Sequence, residues 1–268
     1  MNQMKMIVSL LLSFSVLSCA VVKKTASIKT GKNPVVAHRG AWKKNGLPEN
    51  SIASLRQAIK IGCAGSEFDV RMTADNVLVI NHDPSYHGLT IEKSIYSDLL
   101  SFPLSNGEKL PTLREYILAG LENNTCTQLV CEIKPSDISK ERAELIATQV
   151  VQLAQELNAQ DRVMYISFEY AILKKIKSIN PQASTQYLEA NKNPEELLVD
   201  KIDGMDYYYK DFKNHLEWIT SAHKNKMILN AWTVNESEEM DWLLANKFDY
   251  ITTNEPELLL QKIELLTR

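Results

Sequence analysis

From Pro34 onward the chain alternates short apolar runs with amphipathic stretches. The apolar runs fall at residues 35–38, 66–70, 77–81, 129–134, 163–168, 184–188, 204–208, 227–232 and 250–252, each the length of a buried strand. Between them apolar residues recur at i, i+3 and i+4, as at Ile52, Leu55 and Ile59 behind the capping candidates Asn50 and Ser51. The same spacing predicts helices over 113–121, 141–157, 170–179, 212–223, 236–244 and 255–266. Repeated β-α units of this number predict parallel strands closed into a (β/α)8 barrel of the TIM type, because a doubly wound sheet has no use for so many strands in one domain.

One connection breaks the alternation. Only Arg71 to Asn76 separate two of the runs, whereas a parallel crossover needs about a dozen residues, so these strands must form a hairpin. With Asp75 and Asn76 as the two turn residues, Thr73 would pair with Leu78, Arg71 with Ile80 and Asp69 with His82. Residues 84–111, polar, helix-poor and carrying Gly88, Pro103 and Gly107, then form a small insertion after the third strand.

The N-terminus reads differently. Lys5, an apolar run from Met6 to Leu17 too short to span a bilayer comfortably, and the end Val16-Leu17-Ser18-Cys19 read as an export signal. That end resembles a bacterial lipoprotein signal. The resemblance implies a signal peptide over 1–18, a lipid on Cys19, a tether over 19–33, and a barrel domain over 34–268 held extracytoplasmically at the cell envelope. An ordinary secreted protein cleaved nearby is the alternative. Three cysteines then remain, Cys63, Cys126 and Cys131, so at least one thiol stays free. Cys131, inside a strand-like run, is expected as a small buried hydrophobe.

Composition narrows the function. At 268 residues and 44% hydrophobic content the chain suits one large domain, and a net charge of −3 supplies no basic stripe for nucleic acid. Acidic residues sit inside the apolar runs, where an unpaired carboxylate is costly. Glu67 and Asp69 share one face of their strand by the period of two, as do Glu132 and Lys134. Three carboxylates facing one interior repel each other unless a cation lies between them, and one hard divalent ion, Mg²⁺ or Ca²⁺, is the natural occupant. Each acid taken singly would more often be an ordinary salt-bridged residue. His38 and His82 each end a strand, at the rim where barrel active sites are built, with Arg39 and Lys134 beside them. Metal, cations and two imidazoles together describe phosphodiester cleavage.

The motifs Val35-Val36-Ala37-His38-Arg39-Gly40, Pro48-Glu49-Asn50-Ser51, Glu67-Phe68-Asp69-Val70, Thr73-Ala74-Asp75, His82-Asp83-Pro84, Leu110-Pro111-Thr112-Leu113, Glu132-Ile133-Lys134 and Trp232-Thr233-Val234-Asn235 occur in one order. In that order the chain from Val35 onward resembles the glycerophosphodiester phosphodiesterases. The resemblance implies a barrel of the phospholipase C-like phosphodiesterase type and cleavage of a small-molecule glycerophosphodiester to an alcohol and glycerol 3-phosphate. It implies metal ligation at Glu67, Asp69 and Glu132 with Glu49 close by, and an acid/base pair at His38 and His82. It further implies phosphate contacts from Arg39 and Lys134, and a substrate-lining role for Trp232, which could equally be a core aromatic. Two departures stand out: Ser85-Tyr86-His87-Gly88-Leu89-Thr90 where many members carry an Arg with Thr and Gly, and Asp75-Asn76 in place of an Asp-Gly turn. Relatives with the same barrel that cleave intact phospholipid are the runner-up, but 84–111 holds no exposed Trp or Phe cluster for entering a bilayer. An anchored binding protein that lost catalysis is the alternative from another class, and such a protein should have lost one of these histidines or acids. Oligomeric state is not legible.

Overall fold

The computed structural model describes residues 33–267. The expected signal peptide, the lipid on Cys19 and the tether up to Lys32 lie outside the described residues. Asn33, assigned to the tether, is tied to the barrel: its side chain donates to Gly62 O and accepts from Val35 N.

Eight parallel strands close on themselves: β1 (Val35–Ala37), β2 (Gly65–Met72), β6 (Gln128–Ile133), β7 (Val163–Ser167), β8 (Ser184–Tyr187), β9 (Gly204–Tyr208), β10 (Ile228–Trp232) and β11 (Tyr250–Thr253). Neighbours pair in that order, and β1 pairs with both β2 and β11, which closes the (β/α)8 barrel. The period of two sorts the side chains. Val35 and Ala37 join the large outer core between strands and helices, while Val36 packs with Val130, Met164, Ile166, Leu188 and Tyr250 in a separate cluster inside the barrel.

The helices begin where the residues dictate. Ser51 caps α1 (Ile52–Ile61) in a capping box with Ser54, and Thr112 caps α3 (Leu113–Leu121) in one with Glu115. Each such cap is worth about 1 kcal/mol. Helices α4 (Lys140–Glu156), α5 (Tyr170–Ile179), α9 (Ser237–Ala245) and α10 (Pro256–Thr267) follow the predicted spans closely. The span 212–223 does not: it is split into α7 (Tyr209–Asn214) and α8 (Leu216–Asn225) at His215, whose φ of −133° and ψ of 61° are not helical. A further short helix, α6 (Pro194–Val199), escaped the periodicity, although Asn193 and Glu196 form its capping box and Pro194 opens its first turn.

The hairpin is present, but its register is shifted by one. In β2 and β3 (Leu78–Ile80) Met72 pairs with Leu78, Arg71 with Val79 and Val70 with Ile80. The loop has three residues, Ala74 to Asn76. Thr73 N donates to Val77 O, Val77 N donates to Thr73 Oγ1, and Asn76 sits at a φ of +63°. An αL residue closing a three-residue loop matches the strand twist as well as a two-residue turn does, and the Thr73 side chain adds a second clamp. Asp69 therefore stands opposite Asn81, whose N donates to its carbonyl at 3.0 Å, and the predicted pairing of Asp69 with His82 is incorrect.

The insertion is also more structured than its composition suggested. It contains a small hairpin, β4 (Ser85–Tyr86) with β5 (Leu89–Thr90), and a short helix α2 (Tyr96–Leu99). Its own apolar cluster joins Tyr86, Ile91, Leu99 and Leu110 to Val79 of β3. The buried Glu92 carboxylate binds the insertion to the loop after β6, accepting from Ser136 Oγ, Asp137 N and Arg142 Nε.

Candidate active site

The C-terminal ends of the strands surround a cavity of about 140 Å³ lined by His38, Arg39, Glu67, His82, Glu132 and Lys134 on one side. Ile166, Phe168, Leu188, Asp206 and Trp232 line the other. Asp69 is fully buried and adjoins the first group through Glu67 and Glu132.

The turn after β1 places three of these groups. Arg39 takes a φ of +57° and Gly40 one of +82°. The Arg39 amide donates to Glu67 Oε2 at 2.8 Å, and its carbonyl accepts from Asn50 N and Ser54 Oγ. A Cβ on Gly40 would fall 2.4 Å from Ser54 Oγ and 2.7 Å from the Ser54 backbone carbon. Gly40→Ala is therefore expected to lower unfolding stability by roughly 3 kcal/mol or more, from left-handed strain and overpacking together. A denaturation midpoint within experimental error of the parent would show that the α1 start yields easily.

One carboxylate oxygen each from Glu67, Asp69 and Glu132 lies within 4.8 Å of the others, and all three residues are buried. Oxygen-only donors, buried and convergent, suit a hard divalent cation, and Glu67 Oε1 is buried with no hydrogen-bond partner. Lys134 Nζ sits 2.8 Å from Asp69 Oδ1 and 2.5 Å from Glu132 Oε1, so in this state the ammonium neutralises the cluster. Burial and the neighbouring acids push Glu67 well above the usual carboxylate range, and burial with Asp69 pushes Glu132 up to about 7. Burial also acts against Asp69, but the Lys134 ammonium and hydrogen bonds from Lys134 and Asn50 outweigh it and hold Asp69 at about 2. Crowding of three acids thus raises two of them and leaves the one held by Lys134 ionised most readily.

Glu49 does not join the cluster. Its Oε2 accepts from Arg39 Nη1 at 2.5 Å and its side chain is 38% exposed, so an ion pair with the guanidinium draws it aside. Arg39 Nε, buried and without a hydrogen-bond partner, stands 3.7 Å from Asp69 Oδ2 and borders the cavity.

The two histidines differ in environment. His38 Nδ1 lies 2.8 Å from Asn254 Oδ1, and since a carbonyl oxygen only accepts, Nδ1 carries the proton and Nε2 keeps its lone pair. Burial, then the charge of Arg39, lowers its pKa to about 4. The 3.9 Å approach of Nε2 to Glu67 Oε2 is accordingly no ion pair near neutral pH. His82 lies at the cavity mouth, its side chain 40% exposed, with Nδ1 2.8 Å from Asp83 Oδ1. It has left the strand, and the Arg71 guanidinium grips its carbonyl from Nε at 2.9 Å and Nη2 at 2.7 Å. That clamp, and not strand pairing, brings His82 to the cavity.

Trp232 donates from Nε1 to Asp206 O at 2.8 Å and packs edge-on to Phe168 at 5.4 Å between ring centroids, so it is part of the cavity wall. Four contributors escaped sequence reasoning. Asn254 orients His38 and Arg71 holds His82. Asn50, read as a cap and as part of the Pro48–Ser51 motif but given no role in the site, donates to Asp69 Oδ2 at 2.8 Å, and Asp206 borders the cavity. The alternation of β9 put Asp206 on the inner face of its strand and could have flagged it. Of the described cysteines Cys63 and Cys131 are buried and Cys126 exposed, all as free thiols.

Residues 38–258 match the model of the Glycerophosphoryl diester phosphodiesterase family. A crystal structure of a glycerophosphodiester phosphodiesterase from Parabacteroides distasonis is 36% identical, superposes with a TM-score of 0.85, and covers 88% of this chain and 99% of its own. A glycerophosphodiester phosphodiesterase of Caldanaerobacter subterraneus is 26% identical over 246 residues, 87% of this chain and 98% of the relative. An Oleispira antarctica phosphodiesterase solved with the product sn-glycerol-3-phosphate shares the fold at 23% identity and a TM-score of 0.75, over 86% of this chain and 96% of its own. With the barrel closed and the motif residues gathered at one cavity, the chain belongs to the glycerophosphoryl diester phosphodiesterase family and is an enzyme of that class, a phosphoric diester hydrolase.

Proposed function

We propose that this enzyme hydrolyses water-soluble glycerophosphodiesters to an alcohol and sn-glycerol 3-phosphate, using one divalent cation and the His38/His82 pair. The observation that carries the reading is a cluster of three buried carboxylates, two of which line one cavity together with both histidines. Glu67, Asp69 and Glu132 would hold the cation, Mg²⁺ or Ca²⁺, which supplies Lewis-acid stabilisation of charge on the phosphoryl oxygens. Arg39, whose buried Nε has no hydrogen-bond partner, offers a donor to the same oxygens, and Lys134 can turn from the acids to the phosphate once a cation takes its place.

His38 Nε2 accepts the proton of the attacking hydroxyl as the new O–P bond forms. The P–O bond to the departing alcohol breaks, and His82 at the open mouth gives its proton to that oxygen. The attacking hydroxyl is water or the neighbouring glycerol hydroxyl; in the second case a cyclic phosphate forms first and water opens it by the same two proton transfers reversed.

Export and lipidation at Cys19 belong to this proposal. Val35 opens β1 and His38 follows its far end, so the chain enters the barrel opposite the cavity mouth. Purified enzyme incubated with several glycerophosphodiesters and an intact phospholipid, with released glycerol 3-phosphate measured enzymatically, tests the reading. Turnover of the phospholipid alone would replace it with a phospholipase activity.

A further inference from the structure

Asp206 lies in β9 on the side of the cavity away from the acid cluster, 1% exposed, and its Oδ1 has no hydrogen-bond partner. The Trp232 indole satisfies only its backbone carbonyl, and its register partner on β10, Asn230, carries a buried Nδ2 that likewise has no partner. A buried oxygen left unpaired costs free energy, so a persistent one bordering a substrate cavity calls for a ligand group.

The two ends of the cavity differ. At the His82 end the side chains are open to water, 40% exposed for His82 and 73% for Asp83. An alcohol that varies from substrate to substrate fits that open end, where His82 can protonate it. The part common to all substrates, the glycerol, fits the closed end. We propose that Asp206 determines specificity at this closed end, its free carboxyl oxygen receiving a hydroxyl of the glycerol moiety. The inference rests on the reading of the cavity as a glycerophosphodiesterase site. The competing structural role is a buried water held together with Asn230 Nδ2 and Gln186 Oε1, which are also buried without partners.

The test measures binding by titration calorimetry with Mg²⁺ present throughout, using sn-glycerol 3-phosphate and n-propyl phosphate, which lacks both hydroxyls. In Asp206→Leu the preference for glycerol 3-phosphate over propyl phosphate is expected to fall by about tenfold or more, while propyl phosphate affinity stays within about threefold. Asp206→Asn, which keeps the carbonyl acceptor, should restore most of the preference. An unchanged preference in Asp206→Leu, or equal losses for both ligands, would overturn the assignment in favour of the water-holding role. If the leucine variant does not fold, Asp206→Ala is judged by the same ratio. The result is separable from the proposed activity: parent enzyme that releases no glycerol 3-phosphate from any glycerophosphodiester refutes the activity, whereas the binding ratio speaks to Asp206 alone.

Discussion

Chelation of divalent cations is expected to lower turnover of the parent enzyme about a thousandfold or more, the loss of several kcal/mol of charge stabilisation at the phosphoryl group. Glu132→Gln should reproduce most of that loss with little change in unfolding stability. The reason lies in the cluster itself: with its pKa pushed up to about 7, Glu132 is already half protonated near neutrality, and glutamine resembles the protonated form. The same shift sets the sign of the pH dependence. A carboxyl that must be ionised to hold a cation competes with its own proton below pH 7, so metal affinity should rise as pH rises through 7 and level off above it. For this one group the gain between pH 6 and pH 8 is about tenfold, and Glu67, also raised, acts in the same direction. Calorimetric titration with Mg²⁺ and Ca²⁺ at the two pH values checks this, and an affinity that does not change with pH, or turnover that survives chelation, removes the cation from the reaction.

The second large effect belongs to His38. Its replacement by alanine should cut kcat by about 10²- to 10⁴-fold while metal affinity stays within a few-fold, because a positioned proton acceptor contributes in that range and His38 is not one of the three acids. The pH profile adds an independent readout. A base works in its deprotonated form, and burial has lowered the His38 pKa to about 4. At saturating metal, therefore, kcat should persist well below the ordinary imidazole value of 6.5 and fall only as pH approaches 4. An acid limb centred near 6.5 under those conditions would show that a different group accepts the proton.

The departures from the sequence reading share one cause: each depended on which of two local solutions the surroundings select. Asp75 and Asn76 both tolerate turn geometry, and residues 73–77 are compatible with a two- or a three-residue loop. The choice came from the Thr73 side chain closing on Val77. Apolar spacing continues through 212–223, yet the backbone of His215 leaves the helical region and divides the span.

What the sequence by itself determined is the architecture and the acid cluster. Strand-length apolar runs alternating with amphipathic helices specify a barrel, because period and length are local properties that every residue reports. Acids inside apolar strands specify the cluster Glu67, Asp69 and Glu132, because burial of unpaired charge is too costly to be incidental. Only the tertiary structure decided how those groups are held and poised. Asn254 and His38 are 216 residues apart, and their contact fixes which imidazole nitrogen keeps its lone pair. Arg71 takes hold of His82 only after the ladder ends, and Lys134 reaches two acids on two different strands. Asp206 became visible when closure of the barrel buried its oxygen without a partner. Contacts across a closed barrel depend on where distant strands meet, and burial of each carboxyl depends on every wall around it, so neither is written in the spacing of residues along the chain.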